Sequence, residues 1–365
     1  MNFQRQQSAT LLSVKSRLQY LDWLRGLAVV LMIQVHVFDS FLQENLHETE
    51  SYRLSQLLGG LAAPLFLFTA GISLALVFDR MRERGASTSQ LIERALRRGA
   101  WILLLAYAFR IEQVVTWYPY ANWADVWKVD ILNCIAVSSL LTGVCAAFAE
   151  SAWVMSLVAA AIVLMTPAVA SINSGLPAIL LAYLNGNGRG DYFTIFPWAG
   201  YTFAGAAAGY ALLAARKQER EYAFMLHCAG AGALLFLLGY EVNRHPGLML
   251  GLASYTRTSP HYFFSKMGYL LILVYGAFRW SIRAHAQRWS PVIIFGQTSL
   301  LIYWVHIEFV YGRLRMFKNT LGAGLTIAQL LWLVPMMLAV AAGWLSYRER
   351  TRAKARDYMH APSRL

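Results

Sequence analysis

Charge is what this sequence lacks. Only 14% of its 365 residues are Asp, Glu, Lys or Arg, whereas 58% are hydrophobic; a water-facing globular chain carries roughly 25% charged residues. That balance excludes a disordered chain, which needs many charges and few apolar side chains, and it argues against a soluble globule. Cysteine is also scarce. Cys134, Cys145 and Cys228 all fall inside apolar stretches, and an odd number so placed makes neither a disulfide framework nor a zinc pattern. There is no HExxH, Walker A or GxSxG motif and no His/Cys cluster, so metalloprotease, ATPase and serine-hydrolase chemistry have no support and no metal is expected. The glycine run 186–190 lacks a preceding strand and a P-loop lysine and reads as an outer loop.

What the sequence has instead is repeated apolar runs about as long as a bilayer is thick. Windows of about 19 residues give ten candidate spans: 20–41, 55–78, 97–115, 127–148, 151–169, 193–214, 222–242, 262–280, 291–311 and 325–346. The expectation is an all-α polytopic membrane bundle, with residues 1–19 a cytoplasmic segment, 20–346 the membrane domain and 347–365 a basic tail. The first span carries Arg25 and His36 and is followed by no small-residue cleavage site, so it is not read as a removable signal peptide. Gly205 and Gly209 in FAGAAAGY, and Gly230 and Gly232 in CAGAGA, read as small-residue helix contacts.

A net charge of +13 can signal nucleic acid, but the placement of the charges decides otherwise. With the N-terminus inside, 21 Lys and Arg fall on the inner side and nine on the outer. That asymmetry places both termini in the cytoplasm and assigns the basic excess to cytoplasmic loops, with no nucleic acid as partner. The loop from Arg313 to Lys318 opposes the rule, which leaves the last two spans the weakest part of the assignment.

Ionisable groups in hydrocarbon cost at least ~2.5 kcal/mol on insertion scales and are functional candidates for that reason. In the first span, LDWLRGLAVVLMIQVHVFDSF, eleven steps of ~100° carry Arg25 to His36 ~20° past three full turns, over a rise of ~16 Å. Both therefore sit on one wall, suited to an elongated ligand. Asp39, three residues after His36, shares its face and can fix the imidazole tautomer, the arrangement of a general base. The same residues also suit a packing histidine and a helix-end aspartate, and Arg25 also suits an interfacial pair with Asp22. In LIERALRRGAW, Arg94, Arg97 and Arg98 gather at the cytoplasmic entrance of the third span. Arg94 and Arg97 share a face and can clamp a phosphate with forked donors, although ordinary positive-inside charge explains them as well. Arg110, Glu112, Asp130, Asn133, Lys266, His306 and Glu308 read individually as structural partners. His47, in the acidic segment QENLHETESY, reads as a loop residue close to the first helix end.

The segment LDWLRGLAVVLMIQVH resembles the first-helix motif of the transmembrane acyltransferases, the superfamily of the acyltransferase-3 and heparan-alpha-glucosaminide N-acetyltransferase proteins. APLFLFTAGISLAL, the basic RALRRG loop, FPWAGYTFAGAAAGY and SLLIYWVH resemble the bacterial branch of the second group, over roughly residues 17–312. The resemblance implies a bundle of about ten membrane helices in a bacterial cytoplasmic membrane. Such a protein takes an acyl group from cytoplasmic acetyl-CoA or another acyl-CoA and passes it to a sugar hydroxyl or amine at or across the membrane. The implied partners are the lipid bilayer, acyl-CoA and a glycan or amino-sugar acceptor, and a homodimer is a compatible assembly.

By the same resemblance His36 stands where the acyltransferase-3 proteins have their catalytic histidine, Arg25 at their motif arginine, and Arg94 with Arg97 at their cytoplasmic pair. The human-type N-acetyltransferases instead have Asn at the position of His36 and their functional histidine eleven residues later, which here is His47. His36 is preferred because it is intramembrane and has Asp39 beside it. A transporter or flippase using the same polar residues as a translocation and proton path is the rival of another class, and it needs no acyl-CoA. A scaffold whose buried charges only join helices is the third reading.

Overall fold

The computed structural model describes residues 18–172, 175–186, 193–244, 259–283, 290–312, 314–315 and 317–360. Most of the N-terminal segment, most of the glycine run, Arg189, Arg257, Arg313 and the last five residues lie outside the described residues. Among those described, every expected span overlaps helix, and the second is divided between two helices by a turn at Gly60 and Leu61. The helices are α1 (Gln19–Phe41), α2 (Glu50–Gly59), α3 (Ala62–Glu83), α4 (Thr88–Thr116), α5 (Ile131–Phe148), α6 (Ala152–Ala170), α7 (Ala178–Leu184), α8 (Ile195–Lys217), α9 (Glu221–Arg244), α10 (Pro260–Ser281), α11 (Pro291–Gln297), α12 (Ser299–Val310) and α13 (Ala323–His360).

Seven helical stretches among the described residues are long and apolar enough to cross a membrane, or eight if the bent pair α11–α12 is one span. The protein is an all-α polytopic membrane protein. Helices α8 and α10 are long enough, at 23 and 22 residues, but less apolar. Both turn buried small, aromatic and polar side chains toward protein rather than lipid.

The chain divides into two compact units, one of residues 63–283 with Tyr20 and the other of residues 21–62 and 284–365. In the first, α4 packs on α5, α6 and α5 pack on α8, and α9 packs on α10. The crossing of α3 and α8 is backbone on backbone: a Cβ added to Gly205 would lie 2.0 Å from the Phe68 carbonyl oxygen, and one on Gly71 2.0 Å from that of Thr202. Small residues buy that approach, as membrane interfaces require. Gly230 differs from the expectation, since a Cβ there would meet nothing within 4 Å, whereas Gly232 does lie against the Gly268 backbone.

Helix starts in this unit are set by local side chains. Ser87 with Gln90, and Asp130 with Asn133, form reciprocal capping boxes at α4 and α5, satisfying amide groups that would otherwise be orphaned. Leu226, Leu234, Leu237 and Leu238 of α9 and Trp101, Leu104, Ile111 and Val115 of α4 are exposed, an apolar surface that hydrocarbon rather than water solvates. Past the end of α4, exposed Trp117, Tyr118, Tyr120, Trp123 and Trp127 form the kind of aromatic cluster found at a membrane interface.

The second unit holds α1, α2, α11, α12 and α13. The glycines again permit contact, with an added Cβ on Gly26 falling 1.7 Å from the Val292 carbonyl oxygen and one on Gly296 1.8 Å from that of Asp22. The ninth expected span is broken here. Helices α11 and α12 meet at 94°, with Thr298 out of helical geometry at the break and its hydroxyl donating back to the Ile294 carbonyl at 2.8 Å. Helix α13 runs through the expected end at 346 to His360, its last turns made of strong helix formers.

Candidate functional site

The site residues on α1 lie in the second unit, and the end of that helix is unusually well tied. Its last carbonyls, which a helix terminus leaves without intrahelical partners, accept from the loop after α12: Asn319 N–H bonds Ser40 O at 2.9 Å and Leu321 N–H bonds Phe41 O at 2.9 Å. The Ser40 hydroxyl donates to Val310 O at 2.7 Å. These bonds fix the last turns of α1 beside the end of α12, and His36 and Asp39 with them.

There His36 meets His306, 270 residues away in sequence. Nδ1 of His36 lies 2.9 Å from Nε2 of His306, and the two rings are nearly coplanar, 3° apart in orientation with centroids at 5.2 Å. His306 is fully buried, and its Nδ1 lies 2.7 Å from the Ile302 carbonyl oxygen. Tyr311 sets its ring edge-on to His36 at 5.4 Å and donates its hydroxyl to Asp39 Oδ2 at 2.8 Å. His36 is partly exposed, and its Nε2 has no hydrogen-bond partner among the described residues.

The residue on Nδ1 of His36 is thus His306, and Asp39 is engaged by Tyr311. Nδ1 of His36, expected beside Asp39, lies against His306 of α12 instead. His47 caps a short 3-10 turn, stacks on Tyr52 at 4.3 Å and 4°, and has its Nε2 buried without a described partner. Arg25 shares the α1 wall with His36 and pairs with Asp22 at 3.3 Å.

The arginines are described in the first unit. Arg94 is exposed on α4, Arg97 is exposed and pairs with Glu93 at 2.6 Å, and Arg98 is half-buried. Arg110 pairs with Asp130 at 3.3 Å and donates to Gln113 at 3.1 Å. It lines an open cleft of about 370 Å³ with Trp117, Tyr120 and Lys128. Among the described residues no group of three His, Cys, Asp or Glu side chains is placed to hold a metal.

His306 and Tyr311 are the residues whose roles sequence reasoning missed. His306 was visible as a histidine in an apolar run, but nothing in the spacing links it to His36. Compared with known proteins, residues 17–242 match the family model described as Heparan-alpha-glucosaminide N-acetyltransferase, catalytic. No curated protein shows significant similarity to the chain.

Proposed function

The chain belongs to the heparan-alpha-glucosaminide N-acetyltransferase catalytic family and is a membrane acetyltransferase, and from that premise we propose that it moves an acetyl group from cytoplasmic acetyl-CoA to a sugar hydroxyl or amine. The observation that carries this reading is the Nε2 of His36, which has no hydrogen-bond partner among the described residues, on a partly buried residue whose other ring nitrogen lies against His306. A general base needs such a nitrogen within reach of the acceptor proton. His36 Nε2 takes the proton from the acceptor, whose oxygen or nitrogen attacks the thioester carbonyl. The carbon–sulfur bond then breaks, and the proton passes from His36 to the leaving thiolate as the coenzyme thiol.

In this reading Arg94 and Arg97 hold the donor's phosphates, with Arg98 beside them. The Arg97–Glu93 pair is an exposed one of a kind worth about 0–1 kcal/mol, so exchanging Glu93 for a phosphate costs little. A guanidinium offers a phosphate paired donors that a lysine does not. Arg25 faces the same way as His36 along α1 and can follow an elongated donor. The membrane we propose is the bacterial cytoplasmic membrane.

The test compares two histidines in the purified protein, with acetyl-CoA as donor and glucosamine as the acceptor probe. Removing a general base costs typically 10²- to 10⁴-fold, so His36→Ala loses about that much kcat while acetyl-CoA binding and melting temperature stay at wild type. His47→Ala loses far less. Abolished turnover in His47→Ala with activity kept in His36→Ala moves the base to His47.

A further inference from the structure

The family match ends at residue 242, well before α12, and assigns nothing to His306. We infer that His306 is a positioning residue, which holds His36 in the one tautomer that leaves Nε2 free to take a proton. The inference rests on His36 as the base and follows from which atoms can donate. A carbonyl oxygen only accepts, so the 2.7 Å contact of His306 Nδ1 with Ile302 O requires the hydrogen of His306 to be on Nδ1. A second hydrogen on its Nε2 would bury a full charge with no carboxylate among its described partners, an expensive state inside a membrane protein.

Nε2 of His306 is therefore a bare acceptor, and the 2.9 Å contact requires that His36 Nδ1 donate to it. In a neutral imidazole one nitrogen carries the hydrogen and the other the lone pair. His36 is left with its lone pair on Nε2, the nitrogen with no described partner. The carbonyl of Ile302, His306 and His36 thus form a directional relay that ends at the reactive atom. It performs with a neutral acceptor the orienting task that a carboxylate performs in hydrolytic triads. When Nε2 takes the acceptor's proton, the Nδ1 hydrogen stays in place and the bond to His306 becomes charge-assisted, which favours the loaded base.

The near-parallel rings are compatible with an in-plane N–H to lone-pair bond. The edge of Tyr311 restricts the remaining rotation of His36.

The experiment reads the tautomer and the kinetics separately. In protein labelled with 15N-histidine, the His36 signals are identified by their loss in His36→Ala. The expected wild-type result is hydrogen on Nδ1 and a bare Nε2. His306→Leu, which removes the acceptor, lowers kcat by about 10- to 100-fold, the cost seen when a partner orienting a metal-bound histidine is lost, leaves the KM for acetyl-CoA unchanged, and lets the His36 tautomer relax. His306→Gln, whose amide oxygen can accept the same hydrogen, recovers most of the rate. In a His36→Ala background, His306→Leu costs nothing further, because the two act as a unit.

Hydrogen on Nε2 of His36 in the wild-type protein would overturn the inference even if no His306 variant folds. Full kcat in a folded His306→Leu would overturn it as well. Wild-type turnover in His36→Ala is a different failure, since it removes the base assignment and the catalytic role of His306 together, whatever tautomer is found.

Discussion

Arg94 and Arg97 stand one turn apart on an exposed face of α4, and such a pair serves anion binding and membrane orientation equally well. Replacing both by Ala is expected to weaken acetyl-CoA binding and flatten its salt dependence, because charge-assisted contacts to phosphate are screened by ions. Glucosamine affinity should stay near wild type. Isothermal titration across a salt series checks it, and unchanged coenzyme binding in the folded double variant would return both arginines to the positive-inside role. Single residues were legible in the sequence where they broke a local rule. His36 and Arg25 announce themselves as polar groups in an apolar run, and their shared face follows from helix geometry alone. What occupies Nδ1 of His36 was not legible, because His306 lies 270 residues away and no periodicity connects them. Asp39 was paired with His36 on spacing, whereas the hydroxyl of Tyr311 takes it.

Among the elements, the glycine-lined crossing of α3 and α8 carries the sharpest stability expectation. A methyl group at Gly205 has a backbone oxygen in its way, which no rotamer change can relieve, and overpacking of this kind costs typically 1–3 kcal/mol. Gly205→Ala should therefore lower the melting temperature in detergent. Gly230→Ala, into open space, should leave it within the ±0.5 kcal/mol of an ordinary surface change. Equal melting of the two variants would contradict the close crossing. The FAGAAAGY pattern made this contact readable in advance, and CAGAGA half of one, since composition shows that a helix can be approached but not which glycine is. The break at Thr298 escaped hydropathy because both halves of the span are apolar, and a change of direction leaves the composition as it is. Helix α7 escaped for the opposite reason, being only seven residues, far below the length that a membrane window detects.

At the scale of the whole molecule, the first helix belongs to the same compact unit as the last three, and residues 63–283 make the other unit. Hydropathy windows find apolar helices but not their partners, so the all-α membrane class was legible whereas this division was not. The 21 inner and nine outer basic residues predict a direction that puts the loop after α3 in the cytoplasm. Function and direction can be read together in sealed vesicles carrying the protein in one orientation, fixed by labelling a cysteine introduced at Arg84 in place of the native three. Acetyl-CoA supplied to the face that exposes position 84, with glucosamine present, should release coenzyme thiol and form acetylated sugar in equal amounts, and the same acetyl-CoA on the opposite face should release none. Movement of glucosamine across the membrane with no thiol released and no acetyl product from either face would contradict the account and leave the polar residues of α1 to a transport path.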